Sequence, residues 1–144
     1  MAGKTNARWI RVSVDDSGGT PRDISSDVTN IDGSGLTYDE TDVTGYSDGW
    51  HNVTLGHPDA TVTITGPFNN TASTGSHTVF SGIVGLQSAT ITLTVQVGIK
   101  AAPTTGDPKW EGEYYCTSYL VNGDATYTAV LRPAGSTVAA WGTV

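Results

Sequence analysis

The sequence predicts a mainly β fold: an antiparallel β-sandwich or barrel with one short flanking helix and long loops. Three observations carry that expectation. Apolar and hydroxyl side chains alternate through SATITLTVQVGIK and DATVTITG; Asn122-Gly123 separates two runs rich in tyrosine and threonine; and only STGSHTVFSGIVG shows helical spacing.

Taken in order, RWIRVSV places Ile10, Val12 and Val14 on one face. A period of two is what an antiparallel strand with one buried face requires. DATVTITG repeats the pattern, with Ala60, Val62 and Ile64 inward and Thr61, Thr63 and Thr65 outward. Next, Ser76 stands where an N-cap is expected, ahead of Val79, Phe80, Ile83 and Val84 along one helical face. Gly82 and Gly85 keep that helix short. The clearest strand follows, with Ala89, Ile91, Leu93, Val95, Val97 and Ile99 on one side and Thr90, Thr92, Thr94 and Gln96 on the other.

GEYYCTSYLVNGDATYTAVLR reads as a hairpin closed at Asn122-Gly123 by a type I′ turn. Its first arm is expected to set Tyr114, Cys116, Ser118 and Leu120 against Tyr115, Thr117, Tyr119 and Val121; its second sets Ala125, Tyr127, Ala129 and Leu131 against Thr126, Thr128 and Val130. A last strand, STVAAWGTV, closes the chain after RPAG. Between these elements lie long connections at 15–23, 30–58 and 100–112. Loops beyond about 12–15 residues are uncommon in compact domains unless they serve function.

The 144 residues are expected to form a single domain, 1–144, long enough to bury roughly two-thirds of the unfolded surface without a disulfide or metal staple. Seven Lys and Arg against 14 Asp and Glu give a net charge of −7, spread along the chain. That balance argues against nucleic-acid binding, which needs clustered cations, and against docking on an anionic membrane. Cys116 is the only cysteine, so no intramolecular disulfide forms, and it is expected to be a small core residue. No apolar run reaches the length of a membrane helix, and MAGKTNARWIRV lacks a signal peptide's apolar stretch. Two sequons, at Asn52 and Asn69, are then incidental.

Chemistry concentrates in YDETDVTGYSDGW, residues 38–50, with four acids, two glycines and three aromatics. As an EF-hand it fails. Starting at Asp39, positions 3, 5 and 12 are Thr41, Val43 and Trp50; starting at Asp42, position 12 is Val53. No metal or cofactor is expected. His51, His57 and His77 sit beside no nucleophile motif, so no catalysis is expected either. Exposed tryptophans and tyrosines would suit sugar stacking or a protein interface equally well.

Asp42 to Asp48 (DVTGYSD), Leu55-Gly56, Asp59 to Phe68 (DATVTITGPF) and the terminal Trp141-Gly142 together resemble the tail tube protein, or major tail protein, of long-tailed bacteriophages. The resemblance implies two packed antiparallel sheets, a flanking helix and extended loops. It also implies hexameric rings stacked into a tube through which DNA passes without specific binding. The partners it implies are other copies of the chain and other tail proteins, and the place is the virion tail, assembled in the host cytoplasm. The loops 38–58 and 100–112 would then make subunit contacts. Tyr38, Asp42, Tyr46, Asp48 and Trp50 are the expected contacts in the first; an aspartate at position 106, Lys109 and Trp110 are those in the second. The competing reading is a carbohydrate-binding, adhesion or capsid-decoration module.

Overall fold

In the computed structural model, which describes residues 3–144, the alternating stretches become strands of one antiparallel sheet. The elements are β1 (Ile10–Asp15), β2 (Pro21–Asp23), β3 (Asn30–Asp32), β4 (Thr37–Asp42), β5 (Val53–Asp59), β6 (Val62–Pro67), α1 (Ser76–Ile83), β7 (Ile91–Val97), β8 (Pro108–Val121), β9 (Thr126–Pro133) and β10 (Ala140–Thr143). Seven strands run in the order β2-β1-β7-β8-β9-β6-β3, and β10 adds to the first half of β8. The end strands β2 and β3 do not pair with each other, so the sheet wraps its core as an open sandwich rather than a closed barrel. Strands β4 and β5 pair only with each other.

Alternation dictates the core. Val12 and Val14, Val62 and Ile64, Ile91, Leu93 and Val95, and Tyr127, Ala129 and Leu131 are all buried, while the threonines between them are half-exposed. Each large aliphatic side chain contributes about 1.5–3 kcal/mol on burial. Helix α1 lays Val79, Phe80 and Ile83 on this core, with Phe80 at 5.4 Å from the Tyr127 ring and 5.8 Å from the Tyr119 ring.

Several sequence expectations shift by a residue or two. Ala89 is exposed and precedes β7, and Val84 is exposed beyond the end of α1. Gly75, not Ser76, is the N-cap, and it brings no capping side chain. The first turn is held from elsewhere in the chain. The buried Asp27 carboxylate accepts the Ser76 N–H at 3.0 Å and the Asn69 amide at 3.1 Å, while Ser76 Oγ donates to the Pro67 carbonyl at 3.2 Å. Asp27 can reach this place because β6 passes it as Gly66, where any Cβ would collide with the Asp27 carbonyl oxygen.

The β8–β9 hairpin forms, but not with the expected faces. Its register slips between Cys116 and Ser118, leaving Thr117 as an extra residue in β8. Beyond this bulge the alternation inverts, so Tyr119 turns inward against Phe80 and Tyr127, and Leu120 is exposed. The turn is not the two-residue type I′. Ala125 N–H donates to the Asn122 carbonyl at 3.1 Å, Asn122 N–H to the Thr126 carbonyl at 2.7 Å, and the left-handed residue is Ala125, with φ 62°. The carboxylate of Asp124 accepts the Thr126 hydroxyl and N–H and so draws the turn one residue longer.

The expected loops also gain structure. The 15–23 connection contains β2, the 30–58 region contains β3, β4 and β5, and β8 begins inside 100–112 at Pro108.

Candidate functional site

The hairpin β4–β5 stands off the sandwich as a ribbon whose residues are almost all exposed. Cross-strand partners share a face. The pairs Tyr38 with Pro58, Glu40 with Leu55 and Asp42 with Val53 therefore make one face that is both apolar and acidic. Thr37, Asp39, Thr41 and Thr54 occupy the other, and the register slips where Gly56 and His57 pass Asp39. An isolated two-stranded ribbon is only marginally stable in water, yet this one exposes Tyr38, Val43, Val53 and Leu55 along its length and Tyr46 and Trp50 near its tip.

The tip is ordered by its own short polar side chains. The Asp42 carboxylate accepts the Thr44 N–H at 2.9 Å and the Thr44 hydroxyl; that hydroxyl accepts the Asn52 N–H at 2.9 Å; and Asp48 accepts the Gly45 N–H at 2.8 Å. These bonds favour the charged forms. The Thr44 hydroxyl holds Asp42 below the usual carboxylate range, and the Gly45 amide does the same for Asp48. His51 Nδ1 stands 3.8 Å from Asp42, but both groups are solvated, so the pair is weak. Tyr46 is fully exposed and Trp50 is 80% exposed. The polar groups fix the loop, and the aromatics are left free to meet something else.

Of the eight positions expected at an interface, Tyr38, Asp42, Tyr46, Asp48 and Trp50 all fall on this ribbon. The second group separates, and two of its members need correction. Position 106 carries no carboxylate: it is Gly106, in the left-handed region at φ 98°, where an aspartate would be strained. Its N–H donates to the Val144 carbonyl at 3.0 Å. The acid of this turn is the next residue, Asp107, whose carboxylate accepts the Thr104 N–H at 2.9 Å and whose carbonyl accepts the Val144 N–H at 2.8 Å. Lys109 stands 3.6 Å from Glu111 on the outer face of β8. Trp110 is the second correction: it is 0% exposed, with Nε1 donating to Tyr114 Oη at 3.0 Å and its ring 5.4 Å from Trp141. The reason is its register on β8, where the alternation that buries Gly112, Tyr114 and Cys116 also turns Trp110 inward. Trp110 is therefore no sugar platform.

The remaining candidates are structural. His77 Nδ1 meets Tyr119 Oη at 3.0 Å and the ring lies 4.7 Å from Phe68. The Cys116 thiol is buried and pushed up to about 11 by desolvation, which leaves it a poor nucleophile. Among the described residues no three His, Cys, Asp or Glu side chains converge as metal ligands.

Two concave features were not visible in the sequence. One, of about 160 Å³, lies at the ribbon's root between Leu36, Pro58 and the 133–139 segment. The other, of about 280 Å³, separates β1 from β3 and is lined by Arg8, Ile10, Arg11, Val28, Asn30 and Ile31. The ribbon itself had a readable signal. Tyr38, Glu40 and Asp42 alternate with Thr37, Asp39 and Thr41, and Gly45 and Gly49 punctuate the middle.

No family description and no curated protein sequence matches the chain. Solved structures do match over nearly its whole length. A chain of the virion of a native gene transfer agent particle superposes with a TM-score of 0.66 at 16% identity, covering 98% of this chain and 99% of that one. A chain from the tail of an empty gene transfer agent particle, refined helically with C6 symmetry, gives 0.61 at 18% identity, covering 98% and 99%. A chain of the sheath/tube terminator of an extracellular contractile injection system, PVC, in its extended state gives 0.62 at 15% identity, covering 96% of each. At these identities the likeness is one of fold.

Proposed function

We propose that this chain is the structural subunit of a phage-like tail tube, non-enzymatic, assembling as stacked hexameric rings in the tail of a virion. The observation that carries the reading is the exposed β4–β5 ribbon. Its apolar residues face water in the isolated chain, and a ribbon of two strands lacks the packing to hold itself. A second copy supplies what is missing. Likeness of fold to chains of tail and tube assemblies, one of them C6-symmetric, supports the same reading.

In this reading Tyr38, Asp42, Tyr46, Asp48 and Trp50 make subunit contacts, and the Gly106-Asp107 turn lies with Lys109 at a second, smaller contact. Trp110 contributes only by supporting β8 from inside. The partners are other copies and other tail proteins, and DNA passes along the lumen without specific binding. Assembly takes place in the host cytoplasm.

The test is assembly itself. Purified protein should form rings or tubes in negative stain and sediment accordingly. A variant with residues 40–55 replaced by a short Gly-Ser turn should remain folded by circular dichroism and stay monomeric. A wild-type protein that is monomeric at every concentration and salt, or a ribbon deletion that assembles normally, would end the proposal.

A further inference from the structure

The cleft between β1 and β3 carries two arginines in a chain of net charge −7, and among the described residues neither has an acidic partner. The ion pairs among the described residues are Arg22 with Asp16, His51 with Asp42 and Lys109 with Glu111. Asp23 lies near Arg11, but its carboxylate accepts the Ser25 N–H at 2.9 Å and the Ser25 hydroxyl. Both arginines are nonetheless held in place. Arg8 stacks over the Trp9 ring at 4.8 Å, and Arg11 Nη1 donates to the Arg8 and Ile10 carbonyls at 2.9 and 3.0 Å.

The apolar part of the cleft is also unfinished. Ile10, Val28 and Ile31 pack against the core but remain only partly buried. Strand addition is closed off at the β1 edge, because the Ile10 N–H goes to Ala7 and its carbonyl to Arg11. A partner that docks there through side chains would have to offer carboxylates beside aliphatic and aromatic groups.

One surface of this chain has that composition: the ribbon face bearing Glu40 and Asp42 beside Tyr38, Val53 and Leu55. No ribbon residue lines the cleft of its own chain. We propose that the ribbon of one copy docks across the β1–β3 cleft of a second copy, Glu40 and Asp42 pairing with Arg8 and Arg11 over a contact of Leu55 and Val53 with Ile10, Val28 and Ile31. Ribbon and cleft are different patches, so the contact is head-to-tail and propagates until a ring closes or a stack grows. Close charge pairs of this kind set partner choice and register. This inference rests on the ribbon being an assembly arm and adds its receptor.

Charge reversal on either side separates the two ideas. Arg8→Glu removes a guanidinium that donates no hydrogen bond among the described residues, so the fold should survive; Arg11→Gln serves as the milder second variant. Each should raise the concentration for half-assembly at least tenfold, as should Glu40→Arg, and the combination of Arg8→Glu with Glu40→Arg should recover most of the loss. Separately, Arg8→Cys and Leu55→Cys proteins mixed and oxidised should form a disulfide-linked heterodimer, whereas neither alone should. If Glu40→Arg blocks assembly while both arginine variants assemble as wild type, or if the double variant shows no recovery, the cleft is not the receptor and the arm reading stands. If neither side matters and no cross-link forms, both fall.

Discussion

At the scale of single residues, three buried hydroxyl and indole groups show how the polar part of the core is satisfied. Trp110 Nε1 donates to Tyr114 Oη, which donates in turn to the Ala60 carbonyl at 3.0 Å; Tyr127 Oη donates to the Asp27 carbonyl at 2.8 Å. Burial pushes both tyrosine hydroxyls up, so they remain donors well into alkaline pH. Tyr127→Phe orphans one acceptor and should cost about 1–3 kcal/mol, whereas Tyr114→Phe orphans a donor and an acceptor together and should cost more. Urea denaturation of the two variants checks this, and a reversed order would refute the chain of bonds. Cys116 gives a second residue-level outcome. Its folded thiol lies at about 11, above the ordinary value of about 8.5. The folded state therefore binds the proton more tightly, and this contribution to stability is present below pH 8.5 and lost as pH rises toward 11. At pH 8 a thiol reagent should label Cys116 only as fast as the protein opens, and prompt stoichiometric labelling of the native protein would contradict its burial.

At the scale of elements, α1 depends on an acid 49 positions away, since a Gly75 cap supplies no side chain and the Asp27 carboxylate takes the Ser76 N–H instead. Asp27→Ala should therefore behave as a lost cap with buried amide donors left over, costing about 1–3 kcal/mol. Thermal melts should show that loss, while Asp23→Ala, whose carboxylate among the described residues accepts only from Ser25 two positions on, should change little. How much of an element can be read in advance follows the same logic. β1, β6, β7 and β9 were legible because one buried face imposes a period of two on the sequence. The ribbon was expected as loop although Tyr38, Glu40 and Asp42 alternate with Thr37, Asp39 and Thr41, because both sets are exposed and the alternation marks no buried face. The bulge at Thr117 escaped for a different reason. It depends on the pairing of β8 with β9 and on Tyr119 finding a place against Phe80, both of which are tertiary facts. Trp110 was misplaced because a tryptophan among Lys109, Glu111 and Glu113 looks solvated until the register of β8 is known. The aromatic and acidic members of the ribbon were expected at an interface through the resemblance, whereas nothing in the sequence pointed to the cleft, since Arg8, Val28 and Ile31 meet only through the fold.

At the scale of the whole molecule, the deciding quantity is charge. A net −7 on a 144-residue chain is repeated in every copy of an assembly, and five aspartates, Asp16, Asp42, Asp48, Asp59 and Asp124, are held below the ordinary carboxylate range by local hydrogen bonds. Their folded values are depressed, so the stability they contribute is present above about pH 4 and lost only as pH falls further. Near neutrality these five aspartates are ionised. Duplex DNA carries one negative charge per about 1.7 Å of axis, and proteins that bind it gain by releasing its counterions with clustered Lys and Arg. Here Arg22 and Lys109 are engaged with Asp16 and Glu111, and Arg8 and Arg11 are assigned to the ribbon of a neighbour. If the chain assembles as proposed, the tube should therefore bind duplex DNA no better than about millimolar at about 0.15 M salt, where screening acts over about 8 Å. Fluorescence anisotropy of a labelled duplex against assembled and unassembled protein measures this. Micromolar affinity that weakens steeply with added salt would mean that the copies present a cationic surface the single chain does not have, and would overturn the proposal of a passive conduit.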